Sequence, residues 1–293
     1  METILITGHS LTLEELAEVC RKDAQVALSF EAKQNILESR QVVDTLVDEA
    51  AVVYGITTGF GKFSDVTITQ DECKQLQRNL IVTHAVGAGE PFSRDVARGI
   101  MLLRINNLAK GFSGTRLELV ETLVQMLNRG VTPVIPQKGS LGASGDLAPL
   151  SHMVLPMLGL GQAEYQGEVL PGAVAMERAG IPTIELVAKE GLALINGTQA
   201  MTSVGALAVY DAISLIKTAD VAAALSFEAN RGVEDALDPR VHAVRPHDGQ
   251  MKTASNLRKL LFESGNVTCQ GELRVQDGYS LRCVPQVLSL IHI

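Results

Sequence analysis

The sequence predicts a mainly α-helical protein, on three observations. Capping-box patterns stand at Thr12-Leu-Glu-Glu15, Thr69-Gln-Asp-Glu72 and Thr115-Arg-Leu-Glu118, where a hydroxyl and a carboxylate reciprocally satisfy free N–H groups at a helix start. Residues 190–231 lack proline and are rich in Ala, Leu, Ile and Val, with small residues spaced for close helix approach. The alternation of half-buried strands is scarce.

In chain order, residues 3–7 read as a short strand, and helices follow from Thr12, Thr69 and Thr115. A hairpin is predicted over residues 163–170, turned at Gln166-Gly167. The turn-rich stretch 171–182 separates an N-terminal domain, residues 1–182, from the first part of a central helical bundle, residues 183–287, with one or two long buried helices over 190–231. Glycine concentrates in three loops, Tyr54-Gly-Ile-Thr-Thr-Gly-Phe-Gly61, Gly87-Ala-Gly89 and Gly139-Ser-Leu-Gly-Ala-Ser-Gly145. Three such loops in a helical protein suggest a site assembled at helix ends.

A chain of 293 residues with 46% hydrophobic content can fill a sizeable core. Its formal charge of -8 offers no basic stripe for phosphates or anionic lipid, so neither nucleic acid nor a membrane is expected as partner. Cys20, Cys73, Cys269 and Cys283 are scattered, away from the histidines, and signal neither a disulfide framework nor a metal site. A reducing cytoplasm fits that usage, and the N-terminus lacks the basic head and apolar run of a secretory signal. The most apolar stretch, residues 191–227, is interrupted by Asn196, Gln199, Asp211, Lys217 and Asp220, which argues against a membrane span.

The chemistry points to the loop Gly139-Ser-Leu-Gly-Ala-Ser-Gly-Asp-Leu-Ala-Pro-Leu-Ser-His152. A phosphate loop would need a Lys-Ser/Thr pair, and a nucleophile elbow would need glycine where Asp146 stands. On composition alone it is a glycine-rich turn into a helix capped by Asp146. Ala143-Ser144-Gly145 can also cyclise, the Gly145 nitrogen attacking the Ala143 carbonyl with loss of water including the Ser144 hydroxyl, to give 4-methylidene-imidazol-5-one. Gly145 has no Cβ to obstruct the compressed turn, and a helix starting near Asp146 points its positive end at the ring.

Here the sequence resembles the aromatic amino acid ammonia-lyases, and within them the histidine branch, from about Leu11 to Val287. Five blocks carry the resemblance in order: Tyr54 to Gly61, Thr83-His-Ala-Val-Gly-Ala-Gly-Glu-Pro91, Gly142-Ala-Ser-Gly-Asp-Leu-Ala-Pro-Leu-Ser-His152, Gly191-Leu-Ala-Leu-Ile-Asn-Gly-Thr198 and Val275-Gln-Asp-Gly-Tyr-Ser-Leu-Arg-Cys283. The resemblance implies an electrophile formed autocatalytically from Ala143, Ser144 and Gly145, with no metal and no diffusible cofactor. It implies Tyr54 as general base, which needs a lowered phenol pKa, and Arg282 as a bidentate clamp on the substrate carboxylate. Asn196 matches an asparagine beside the ring, and Gln276 and Tyr279 match pocket residues. His84 matches the selectivity position, where histidine suits an imidazole or phenol and phenylalanine-specific relatives present an apolar residue. His152 is read as structural, and His9, His242, His247 and His292 as solvent or loop residues.

The implied reaction is elimination of ammonia from L-histidine to give trans-urocanate, in a homotetramer whose sites combine several subunits. Tyrosine ammonia-lyase or aminomutase activity, or a non-catalytic paralogue on the same scaffold, are the alternatives. The family pattern runs on beyond Val287 into further bundle helices and active-site groups, whereas residues 288–293 look non-native. The chain is therefore expected to be a fragment, inactive alone. Gly278 stands where relatives often have proline.

Overall fold

Thr12 opens the first helix as its capping box predicts. Its hydroxyl accepts from the Glu15 N–H at 3.2 Å and the Glu15 carboxylate accepts from the Thr12 N–H at 2.9 Å, so α1 (Leu13–Lys22) begins with both donors satisfied. Strand β1 (Ile4–Ile6) precedes it where alternation predicts one and pairs in parallel with β2 (Val26–Leu28), the connection passing through α1. The computed structural model describes residues 3–53, 55–58, 70–141 and 145–289, without the side chains of residues 70 and 71. The predicted start at Thr69 and the site candidates Tyr54, Ala143 and Ser144 lie outside the described residues.

Helix α2 (Phe30–Asp48) is capped by the Ser29 hydroxyl, α3 (Gln70–His84) ends at His84, and α4 (Arg94–Leu108) runs through the middle of the core. Ile100, Met101, Leu102, Ile105 and Leu108 of α4 are buried, because α1, α5 (Leu117–Arg129) and α6 (Leu147–Val154) pack on different sides of it. Helix α5 starts one residue later than its capping box predicts. Thr115 is buried and Arg116 takes the N-cap position without a side-chain cap bond. The reason is long-range: the buried Glu190 carboxylate accepts from the Arg116 N–H at 3.0 Å and from Nε and Nη2 at 2.9 Å each, which fixes the entry into the helix.

Three short strands, β3 (Ala88–Pro91), β4 (Thr132–Pro133) and β5 (Pro136–Lys138), and the predicted hairpin of β6 (Gln162–Tyr165) and β7 (Glu168–Pro171) complete the β-structure; β3 pairs with β5, and β4 with β6. Gln166 and Gly167 both have positive φ, 52° and 83°, as a two-residue hairpin turn of type I′ requires. After α7 (Gly172–Arg178), the proline-free stretch forms two helices, α8 (Glu190–Ile195) and α9 (Gln199–Ala229), broken at Asn196-Gly197-Thr198.

The chain forms two compact units, Met1–Leu207 and Ala208–Ile293. In the first, α9 begins against α4: Ser203 Oγ donates to the Val96 carbonyl at 2.8 Å, and a Cβ on Gly99 would lie 2.2 Å from that hydroxyl. The second unit contains the rest of α9 with α10 (Pro239–Ala243), α11 (Asp248–Leu260), α12 (Tyr279–Arg282) and α13 (Val284–Ser289). Its core is small, gathered around Ala224, Phe227, Leu237, Leu257 and Leu261. His242, expected in solvent, is buried, and its Nδ1 accepts from Gln250 Nε2 at 2.9 Å; the neighbouring helix supplies a donor that no local pattern announces.

Burial of α9 is also corrected. Met201, Val204, Val209, Leu215, Val221 and Leu225 are exposed along it, because its composition asks for neighbours on several sides and the described chain supplies them mainly at its two ends. By length and composition α9 is long and apolar enough to cross a membrane, with mean hydropathy 1.3. Asp220 within it is instead buried in the second unit and accepts from Asn256 at 2.7 Å, as a bundle helix requires.

Two side chains tie elements of the first unit together. Arg98 of α4 is 1% exposed. Its Nε and Nη2 donate to the Val19 carbonyl at 3.0 and 2.8 Å and its Nη1 to the Leu127 carbonyl at 2.9 Å, supplying donors to carbonyls in the last turns of α1 and α5. Arg98→Met leaves the Val19 carbonyl without this donor and the Leu127 carbonyl with only the long Gly130 N–H contact of 3.4 Å, and is expected to cost about 3 kcal/mol in urea denaturation; a loss below about 0.5 kcal/mol would contradict the assignment. His152 of α6 accepts the Gly87 N–H on Nε2 at 3.0 Å, so it must be neutral with its proton on Nδ1, and burial holds its pKa below the ordinary 6.5. The unfolded chain therefore takes up this proton first as pH falls. The stability due to this group is full above pH 6.5 and declines below it, levelling off below the depressed native value. Melting temperatures of the unsubstituted protein and His152→Gln, measured from about pH 7.5 to about pH 5, should diverge in slope there, the variant being flatter.

Candidate active site

The start of α6 carries the loop that the sequence singles out. Asp146 sits at its N-cap position, but its carboxylate makes no bond to its own helix. Fully buried, it accepts from Ser140 Oγ at 2.6 Å through one oxygen and from the Met201 N–H at 2.9 Å through the other. Asp146 thus satisfies a free donor in the first turn of α9 and ties the loop to it. Its own N–H donates to the Gly197 carbonyl at 2.8 Å.

Gly145, one residue earlier, has φ of 85° and is buried. A Cβ there would lie 2.5 Å from the Gly197 oxygen and 2.9 Å from Thr198 Cγ2, so only glycine fits this backbone and this approach. The Gly145 carbonyl accepts from the Leu141 N–H at 3.1 Å.

Asn196 closes α8 with ψ of 104° and an exposed side chain, while its carbonyl is tied inward. Arg104 of α4, 1% exposed, donates from Nη2 to that carbonyl at 2.8 Å and from Nη1 to Asn107 Oδ1 at 3.1 Å. Burial pulls the Arg104 pKa down to about 10, and the Asp146 carboxylate opposes that shift. His84, half-buried at the end of α3, donates its Nδ1–H to the Leu80 carbonyl at 2.8 Å, which leaves the Nε2 lone pair as an acceptor. The His152 to Gly87 bond fixes the segment after it.

Within the second unit, Gln276, Tyr279 and Arg282 come together. The Arg282 guanidinium carbon lies 4.8 Å from the centre of the exposed Tyr279 ring, and its Nη1 donates to Gln276 Oε1. No carboxylate pairs with Arg282 among the described residues. Arg282, Gln276 and Cys283 line a cavity of about 300 Å³, and below them the buried Asp277 accepts from the Val233 N–H at 2.6 Å. Six site candidates are therefore described: His84, Gly145 and Asn196 in the first unit, and Gln276, Tyr279 and Arg282 in the second. Among the described residues no group of three or more His, Cys, Asp or Glu is placed to hold a metal.

Sequence reasoning missed Arg104 and Ser140. The signal for Arg104 was present, a lone cation in the apolar run Ile100-Met-Leu-Leu-Arg-Ile105; the Ser140 to Asp146 bond had none, since it depends on loop geometry.

Comparison with known proteins bears on this arrangement. Residues 11–292 match the family described as aromatic amino acid lyase. The histidine ammonia-lyase of Clostridium tetani is 61% identical over 287 residues, which is 98% of this chain and 56% of the relative; that of Alkaliphilus oremlandii is 59% identical over 287 residues, 98% and 57%. The crystal structure of histidine ammonia-lyase from Trypanosoma cruzi is similar with a TM-score of 0.87 and 40% identity, over 99% of this chain and 53% of that one. The tyrosine aminomutase structure from Streptomyces globisporus gives 0.90 and 35%, over 99% and 59%. The chain spans a little over half the length of the relatives it matches. With the match over residues 11–292, the chain belongs to the aromatic amino acid lyase family.

Proposed function

We propose that this chain is the catalytic-loop half of a histidine ammonia-lyase, which eliminates ammonia from L-histidine to give trans-urocanate. The observation that carries the reading is the backbone of Gly145, held at positive φ against the Gly197 carbonyl with no room for a Cβ, beside the exposed Asn196 side chain. A Gly145 backbone so held fits cyclisation of Ala143-Ser144-Gly145 to 4-methylidene-imidazol-5-one, in which the attacking nitrogen is that of Gly145. When formed, that ring supplies an electrophilic methylene that makes the substrate amine a competent leaving group.

The chain's own residues do the rest. Tyr54, as phenolate, takes the β-proton. Arg282 has a planar fork with no carboxylate partner among the described residues and holds the substrate carboxylate. Gln276 and Tyr279 steady it, and Asn196 faces the reacting amine. His84 accepts the substrate imidazole N–H on Nε2, because its Nδ1 proton is already committed to Leu80. Histidine as substrate is supported by curated relatives at 53–61% identity that carry that name. A tyrosine substrate is the second reading, favoured by the likeness to tyrosine aminomutases, since a phenol O–H suits the same acceptor. The whole protein acts as a homotetramer in this proposal, without metal or diffusible cofactor.

Two predictions concern the protein carried to the full span of its relatives. Ser144→Ala removes the hydroxyl whose loss as water creates the methylene, so histidine turnover should fall by at least about 10³-fold with the fold retained, and the near-ultraviolet absorbance of the conjugated ring should vanish. Ordinary turnover by a well-folded Ser144→Ala protein would refute the electrophile. His84→Phe leaves the substrate N–H without an acceptor, so kcat/KM for histidine should fall on the order of 10²-fold while ring absorbance is unchanged. An unaltered preference among histidine, tyrosine and phenylalanine would show that His84 does not face the substrate ring.

A further inference from the structure

Arg104 lies against the backbone that follows Asn196. Its Nη2 donates to the Asn196 carbonyl at 2.8 Å, a Cβ on Gly197 would come within 2.6 Å of that same Nη2, and Nε has no partner among the described residues. The Gly197 carbonyl in turn accepts the Asp146 N–H at 2.8 Å and occupies the space where a Gly145 Cβ would sit. The two successive peptide groups on either side of Gly197 are therefore held from opposite directions, the first by a buried cation and the second by Gly145 and Asp146. A desolvated arginine is a costly occupant of an apolar helix, and a methionine would fill much the same space without that cost. Its hydrogen bonds go to one backbone carbonyl and one neighbouring amide, so its charge is not used up in an ion pair at contact distance.

We propose that Arg104 is a positioning residue for formation of the electrophile: by holding the Asn196 carbonyl it sets the register of Gly197 against Gly145, and so governs how readily the Gly145 nitrogen closes on the Ala143 carbonyl carbon. The inference rests on the electrophile proposed above. In that closure a bond forms from the Gly145 nitrogen to the Ala143 carbonyl carbon, and the Gly145 N–H proton passes to the attacked oxygen. That oxygen leaves as water with the Ser144 amide proton, and the Ser144 hydroxyl leaves as a second water with the Ser144 Cα proton. No oxidant or reductant enters. In this proposal Arg104 acts on the closure through the backbone of Asn196 and Gly197 alone.

Intact-mass spectrometry of newly made protein, carried to the full span of its relatives and followed over time without substrate, reads the closure as the loss of two waters. The unsubstituted protein should lose both. Arg104→Met, with its helical circular dichroism intact, should close about 10²-fold more slowly, whereas Arg104→Lys keeps the charge but not the fork and should close about tenfold more slowly. A role in stability alone would lower the melting temperature without changing the closure rate per folded molecule. Wild-type closure in folded Arg104→Met would overturn the inference and leave the electrophile standing. If Arg104→Met fails to fold, Arg104→Lys decides, and an unchanged rate in it is equally fatal. Absence of water loss from the unsubstituted protein would remove the electrophile itself, and this inference with it.

Discussion

The backbone from Asn196 to Thr198 is gripped from two sides, and the architecture of the first unit depends on that grip. From one side Arg104 holds the Asn196 carbonyl, and from the other the Asp146 N–H and the bare Gly145 backbone meet the Gly197 carbonyl. Helix α8 ends there, α9 begins there, α6 starts one residue after Asp146, and α4 supplies the guanidinium. Asp146 adds a second tie by spending its carboxylate on the first turn of α9 rather than on its own helix. Two opposite buried charges near the same backbone segment, each hydrogen-bonded, are tolerable where either alone would be strongly destabilising. The result is a four-helix junction registered to hydrogen-bond precision around a loop whose proposed chemistry depends on backbone geometry.

Much of the fold was legible because much of it is local. The Thr12 capping box and the Gln166-Gly167 turn are settled by residues within one turn of each other, and both stand where the sequence puts them. Thr115 shows where that logic ends: Arg116 is bound to Glu190, 74 positions along the chain, and that ion pair moves the helix start by one residue. The pairing of β3 with β5 escaped notice for a similar reason. Its residues include Pro91 and Pro136, β3 is exposed throughout, and no apolar alternation marks it. In the site, the motif blocks were legible in order, whereas their support was not: the burial of Arg104, the neutral state of His152 and the Ser140 to Asp146 bond are all products of tertiary packing.

Helix α9 illustrates a different limit. Its apolar composition states that its side chains need neighbours but does not say which segment provides them. Leu207 and Phe227, toward its two ends, are buried, while Val209, Leu215, Val221 and Leu225 between them are exposed. The chain covers 56% of the Clostridium tetani relative, so a composition that marks α9 as a bundle helix does not require its burial within these residues.

Four arginines differ in role according to what accepts from them. Arg98 donates to helix-end carbonyls and pairs with the Asp23 carboxylate at 3.1 Å, and Arg116 donates to the Glu190 carboxylate; both have fixed protein acceptors for their charge, and both join elements far apart in sequence. Arg104 is just as buried as Arg98, yet its Nε has no partner among the described residues and its two hydrogen bonds go to one distant backbone carbonyl and to the amide of Asn107 on its own helix, so the one element it braces is the backbone at Asn196. Arg282 is the opposite case, half-buried, stacked on Tyr279 and bonded only to the neutral Gln276 among the described residues. A guanidinium whose planar fork meets an aromatic face and an amide oxygen, but no anion, retains its capacity for a bidentate carboxylate. The class of acceptor, helix-end carbonyl, carboxylate, single distant carbonyl or neutral amide, thus separates these four arginines more reliably than burial does.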